Sequence, residues 1–254
     1  MPNVLVVGAS RGLGFEVAKT YSQKDYQVFA TTRSPPPSVD DKNINWVQGV
    51  DIGTKEGGET IVAGLKGQQL DIVVVTAGYF PKESLDEPDF DQELQTYKTC
   101  AIGPVFVVHA LYKAKLLQSG TKVILVSSEA GSIGLRHESE GGGLYAHHGS
   151  KAALNMAGKL LSLDLKEAGV AVAMVHPGFM RTDMTKNVGF DKFWDAGGAV
   201  TPDVAAKSMV EWADTFDISH TGEYWAPRGP GDIGTAEQML GPKDKLPTPL
   251  QLPW

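Results

Sequence analysis

The run Val4-Leu5-Val6-Val7-Gly8-Ala9-Ser10-Arg11-Gly12-Leu13-Gly14 decides the fold. Four successive apolar residues need cover on both faces, as in a strand inside a parallel sheet flanked by helices. The glycines break that strand, and an amphipathic stretch from Leu13 to Lys24 follows at once. Outward from this unit the rhythm repeats. Strand-like runs cover Gln27 to Thr32, Ile44 to Val50, Asp71 to Thr76, Lys122 to Ser127 and Val170 to His176; helix-like ones cover Thr54 to Leu65, Leu94 to Leu117 and about Ser150 to Glu167. The alternation predicts an α/β fold, a doubly wound parallel sheet of about seven strands with helices on both faces. The segments 180–201 and 222–254, rich in Gly, Pro and aromatics, read as loops, and Pro35 to Pro37 as a rigid connection after the second strand. Neither loop isolates a unit, so residues 1–254 are expected to form a single domain.

The 254 residues carry 23 Lys and Arg against 30 Asp and Glu, a formal net charge of -7. No broad basic field exists to attract a nucleic-acid backbone or an anionic bilayer, so neither is an expected partner. The single cysteine, Cys100, cannot form an intrachain disulfide, which fits a reducing compartment. The opening MPNVLVVGAS has no leader pattern and no apolar run approaches the roughly 20 residues needed to cross a bilayer. A soluble, cytoplasmic protein is expected.

A glycine at the end of a strand lets the chain turn sharply, and one at the start of the next helix lets a pyrophosphate approach unpaired N–H groups at the positive end of the helix dipole. Gly8, Gly12 and Gly14 are spaced G-x-x-x-G-x-G, not G-x-G-x-x-G. That turn resembles the one in the short-chain dehydrogenase/reductase family, and other landmarks agree along nearly the whole chain: Asp51-Ile52, Thr76-Ala77-Gly78, Ser127-Ser128-Glu129-Ala130-Gly131, Ser150-Lys151-Ala152-Ala153-Leu154-Asn155, and His176-Pro177-Gly178-Phe179-Met180-Arg181-Thr182-Asp183. The resemblance is to the branch of small carbonyl reductases related to the sniffer and C-signal proteins. It implies a Rossmann-type sheet and a nicotinamide dinucleotide held by Gly8, Ser10, Arg11, Gly12, Leu13, Gly14, Asp51, Ile52, Ala77, Gly78, Lys151, Pro177, Gly178 and Thr182. It also implies a substrate loop over about 180–201, and a homodimer or homotetramer formed through helices carrying Val105 to Leu117 and Ala152 to Leu163, the latter rich in small residues such as Gly158.

Charge points to the form of the cofactor. The second strand ends Thr31-Thr32-Arg33, with no carboxylate for ribose hydroxyls, and Arg11 lies inside the glycine turn. Two guanidinium groups suit a 2'-phosphate, so NADPH/NADP+ is expected.

The resemblance implies a tyrosine four residues before a lysine, on one helix face, as proton donor. Four before Lys151 stands His147; Tyr145 is six before it, about 240° round the axis if the helix has begun. The family's asparagine falls on Cys100, which reads as core packing; Ser128 and Lys151 match. His147 is a competent acid or base, yet the Lys151 ammonium should depress its pKa and leave it neutral. His148 reads as surface, and the histidines as no metal set. Phe190, Phe193 and Trp194 read either as pocket wall or as core, and Tyr224, Trp225 and Trp254 as packing groups. Three functions stay open: reduction of a carbonyl or enone of a small organic substrate, with Ser128 orienting the oxygen and His147, a water or Tyr145 supplying the proton; a redox-neutral isomerase, cyclase or dehydratase with His147 as base, in secondary metabolism; and a catalytically silent cofactor-binding protein.

Overall fold

The structure, a computed structural model, describes residues 1–39 and 41–254. Strands β1 (Asn3–Val7), β2 (Gln27–Thr31), β3 (Ile44–Val47), β4 (Leu70–Val75), β5 (Leu117–Val126), β6 (Ala171–Val175) and β7 (Glu223–Ala226) run parallel; β8 (Leu250–Gln251) returns antiparallel to β7. The sheet order is β3-β2-β1-β4-β5-β6-β7-β8. Helices α1 (Gly12–Gln23) and α7 (Pro202–Thr215) cover one face. The other is covered by α2 (Gly57–Leu65), α4 (Gly103–Lys113) and α5 (Tyr145–Leu165), with α3 (Phe90–Tyr97) against α5. Short helices α6 (Asp183–Asn187) and α8 (Ala236–Leu240) lie in the connections.

β1 shows why its residues are uniformly apolar. Val4 and Val6 enter the core under α1 and α7, Leu5 and Val7 the core under α2 and α4, and all four are fully buried. Burying each such side chain stabilises the fold by roughly 1.5–3 kcal/mol. The chain leaves β1 for β2 and β3 on one side and crosses to β4 on the other, so the loops beyond β1 and β4 diverge and open a crevice there.

Several boundaries depart from the sequence reading. Eight strands stand where about seven were expected, because the 222–254 segment supplies β7, β8 and α8. Glu-Tyr-Trp-Ala and Leu-Gln are too short to carry a strand pattern of their own. Helix α7, not separately expected, starts on Pro202. The 94–117 stretch is broken: residues Lys98–Ile102 form a π turn, α4 ends at Lys113, and Leu117 already pairs with Leu70. A side chain at Gly103 would overlap the Ile52 carbonyl, which explains a glycine at the re-entry. α5 begins at Tyr145 rather than about Ser150, because Glu83 Oε2 accepts the Ala146 N–H at 2.8 Å and caps the helix from 63 residues away. Gly158 does not face a partner: it is buried, and a side chain there would overlap Met174. The exposed apolar residues of α5 are Met156, Leu160 and Leu163. No helix of the described residues is long and apolar enough to cross a membrane.

Candidate active site

One cleft of about 1630 Å³ runs along the carboxyl ends of the strands and takes in both halves of the expected site. At one end lies the glycine turn. Gly8 (φ 92°) and Gly12 (φ 58°) adopt left-handed backbone. A Cβ on Gly8 would stand 2.7 Å from the backbone of Ala77, and one on Gly14 would overlap Gly8 O and Thr76 Oγ1. Thr76 Oγ1 donates to Val7 O (2.9 Å) and Gly8 O (3.1 Å), drawing the ends of β1 and β4 together. The turn is anchored to β2 as well, since Gly8 N donates to Thr31 Oγ1 at 3.0 Å.

Arg11, extended at φ -166°, stands at the cap position of α1 without a side-chain capping bond, and no acidic residue occupies the first turn. The leading N–H groups of α1 therefore face the cleft uncapped. Ser10, Leu13, Asp51, Ile52, Ala77, Gly78, Pro177, Gly178 and Thr182 line the same cleft. Asp51 Oδ1 accepts Gly53 N at 2.9 Å. Arg11 and Arg33 are exposed at the rim, and neither has an ion-pair partner among the described residues. Pro35 to Pro37 extend the rim beyond Arg33. A glycine cradle, an uncapped helix mouth and two unpaired guanidinium groups fit a phosphorylated dinucleotide.

Ser128, Lys151 and His147 sit at the other end. Ser128 follows β5, where its Oγ accepts Ala130 N at 3.2 Å and its carbonyl accepts the Tyr224 hydroxyl. Lys151 is buried and donates Nζ to Val126 O at 2.7 Å; burial pushes its pKa down. One turn earlier on α5, His147 stacks on Phe80 with ring centroids 3.9 Å apart and meets His148 edge-on. Its Nδ1 is buried without a partner, which leaves Nε2 as the nitrogen open to the cleft. Burial first, and the Lys151 ammonium second, push the imidazole well below its usual 6.5. The expected direction holds, but desolvation outweighs the charge on which the expectation rested.

Tyr145 is the first residue of α5, 43% exposed at the cleft rim, and six residues before Lys151, about one and two-thirds turns. Cys100 is buried in the π turn, where Sγ accepts Tyr79 N at 3.2 Å. His148, expected at the surface, is half-buried and lines the cleft. Of the three aromatics weighed for the pocket, Phe190 lines it, Phe193 is half-exposed outside it, and Trp194 donates Nε1 to Thr185 Oγ1 at 3.2 Å. The 180–201 segment is ordered by α6, a 3₁₀ turn at Phe190–Phe193 and a Met180–Val200 bridge.

Sequence reasoning misses Phe80 and Phe179, which pack edge-on against Phe190 at 5.8 and 6.5 Å to form an aromatic wall. It also misses Glu83, whose motif-free loop gives no hint of a cap, and the closeness of the tail to Ser128. Ser132 Oγ donates to Pro253 O (2.8 Å), Gly134 N to Trp254 O (2.8 Å) and Thr235 Oγ1 to Leu135 O (2.7 Å), while Tyr224 stacks on Trp254. Among the described residues no three His, Cys, Asp or Glu side chains cluster as a metal set.

The short chain dehydrogenase family model matches residues 2–192, and the chain belongs to that family of nicotinamide-dependent oxidoreductases. A curated relative, 1-hydroxy-2-glutathionyl-2-methyl-3-butene dehydrogenase of Rhodococcus sp. (strain AD45), is 30% identical over 226 residues, 88% of this chain and 96% of its own. Among solved structures, the NADPH-bound carbonyl reductase from chicken fatty liver superposes with a TM-score of 0.76 at 23% identity, covering 89% of this chain and 91% of that one. Carbonyl reductase Sniffer of D. melanogaster gives 0.75 at 23% identity over 100% of both chains. At that identity the two structures bear on the fold alone.

Proposed function

We propose that this protein is an NADPH-dependent reductase of a carbonyl or enone group on a small organic substrate. The observation that carries the reading is one continuous cleft with the unpaired Arg11 and Arg33 at the glycine turn and Ser128, His147 and Lys151 at the far end. The bound dinucleotide would supply a hydride. Arg11 and Arg33 would clamp its 2'-phosphate, the uncapped start of α1 would receive the pyrophosphate, and Lys151, which Val126 O holds, would grip the ribose. Ser128 Oγ orients the substrate oxygen; the neutral His147 meets it through Nε2. Phe80, Phe179 and Phe190 exclude water from the reacting end. Incubation of purified protein with NADPH and a panel of ketones, aldehydes and enones, followed at 340 nm, tests this: the expected result is NADPH consumption that NADH does not match, and consumption with none of them overturns it.

A second reading is favoured by the depressed His147 pKa, since a neutral imidazole accepts a proton better than it gives one. It is a redox-neutral isomerisation, cyclisation or elimination with His147 as base, recognised by product formation without net cofactor consumption. For the assembly we infer a homodimer or homotetramer in the cytoplasm. Ile102, Phe106 and Tyr112 from the α4 side and Met156, Leu160 and Leu163 of α5 leave apolar side chains 46–62% exposed, and light scattering reads the state.

A further inference from the structure

The reductase reading, on which this inference rests, leaves the alkoxide short of a proton. The His147 imidazole is already neutral, and Lys151 Nζ is directed at Val126 O. A hydroxyl such as Ser128 is a weak acid unless a base relays its proton.

Beside Ser128 stands a group with the missing property. Glu129 opens the 3₁₀ turn after β5 and lines the same cleft. Its backbone N–H donates to His176 Nδ1 at 3.0 Å, and its Oε2 accepts Gly234 N from the tail at 3.1 Å. Oε1 has no protein partner and is not fully enclosed, so on a residue that lines the cleft it is the oxygen free to meet a ligand. The residue is thus held at its backbone N–H and at one carboxyl oxygen, and the other oxygen is free.

We propose that Glu129 is the acid that protonates the substrate oxygen, at Oε1, directly or through one bridging water. As hydride reaches the carbonyl carbon, the C=O electron pair moves to oxygen. The O–H bond of Glu129 breaks as the substrate O–H forms, and the carboxylate is reprotonated from solvent. Ser128 Oγ and, with its proton on Nε2, His147 hold the oxygen while this happens.

The charged surroundings fit the role. Burial pushes Glu129 up to about 7, Glu140 adds to the rise, and Gly234 N–H, Arg136 and Lys243 work against it. From the tail Asp232 also faces it, from β7 the Tyr224 hydroxyl, and His176, beyond β6, is kept neutral by burial. A carboxyl poised near neutrality loads and unloads a proton on each cycle without a large energetic penalty in either direction.

The test compares wild type, Glu129→Gln and Glu129→Asp on a carbonyl that wild type reduces, with kcat/KM measured from pH about 5.5 to about 9 and NADPH affinity by calorimetry. Wild type should lose activity above an apparent pKa near 7. Glu129→Gln should be about a hundredfold slower at acid pH, lack that falling limb and bind NADPH as wild type does. Glu129→Asp should restore the limb at a reduced rate with a displaced midpoint. A Gln variant with the wild-type rate or the same alkaline fall overturns the proposal and leaves the reductase reading standing. Should the Gln variant fail to fold, an Asp variant with an undisplaced midpoint overturns it equally. A wild type that reduces no carbonyl ends both.

Discussion

The two ends of the cleft are built by different means. Around Gly8, Gly12 and Gly14 the work is done by backbone: left-handed turns, a helix start without a cap, and two strands drawn close enough that no side chain fits between them. Around Ser128 and His147 it is done by side chains from segments far apart in the chain: Phe80, Glu129 and Phe190 line the cleft, while Glu83 caps α5 at Ala146 and the tail braces Glu129 through Gly234 and Gly134 through Trp254. Backbone construction tolerates almost no substitution at its glycines. Side-chain construction lets the reacting groups change while the frame stays.

The largest effect should come from breaking the first kind. Gly14→Val places atoms on Gly8 O and Thr76 Oγ1, so dinucleotide binding should vanish in calorimetry and stability should fall by about 3 kcal/mol in chemical unfolding. At the other end, His147→Ala should slow carbonyl reduction by about a hundredfold while leaving NADPH affinity unchanged, the split expected of a group that meets only the reacting oxygen. Arg11→Ala and Arg33→Ala should each weaken NADPH by about tenfold and NADH hardly at all, a contrast read by titration of both cofactors.

The smallest effects are in stability against pH. His147 and His176 are held neutral by burial, below the usual 6.5, so unfolding lets them take protons. Their contribution is intact above 6.5 and declines as pH drops toward the folded values, at about 1.4 kcal/mol per pH unit for each, and His147→Phe should flatten the fall in melting temperature between pH about 6.5 and 5. Glu129 acts in the opposite sense. Raised from 4.5 to about 7, it contributes fully below 4.5 and progressively less as pH climbs to 7. Glu129→Gln should therefore raise the melting temperature by a few degrees at pH about 8 and leave it unchanged at pH about 4.5.

Legibility in the sequence follows the same division. The Val4–Val7 run and the glycine spacing carry the sheet and the phosphate end, because both depend on contacts local in sequence or on the absence of a side chain. Lys151 and Ser128 are legible from their motifs. The stack of Phe80 on His147, the cap from Glu83 and the burial of Glu129 are not, since each joins residues dozens of positions apart whose types are ordinary for loops. β7 and β8 were hidden for a related reason: four and two residues carry no periodicity, and only β6 beside them makes a strand of Tyr224 and its neighbours.

The partners that stitch Ser128 and residues 132–135 in place, Tyr224, Thr235, Pro253 and Trp254, all lie outside the part matched by the family model, which stops at residue 192. A ribosome that has delivered the glycine turn and the first six strands has yet to deliver what braces the reacting end. It has yet to deliver α7 as well, which shares with α1 the cover of one sheet face, so both ends of the cleft wait on the last residues made.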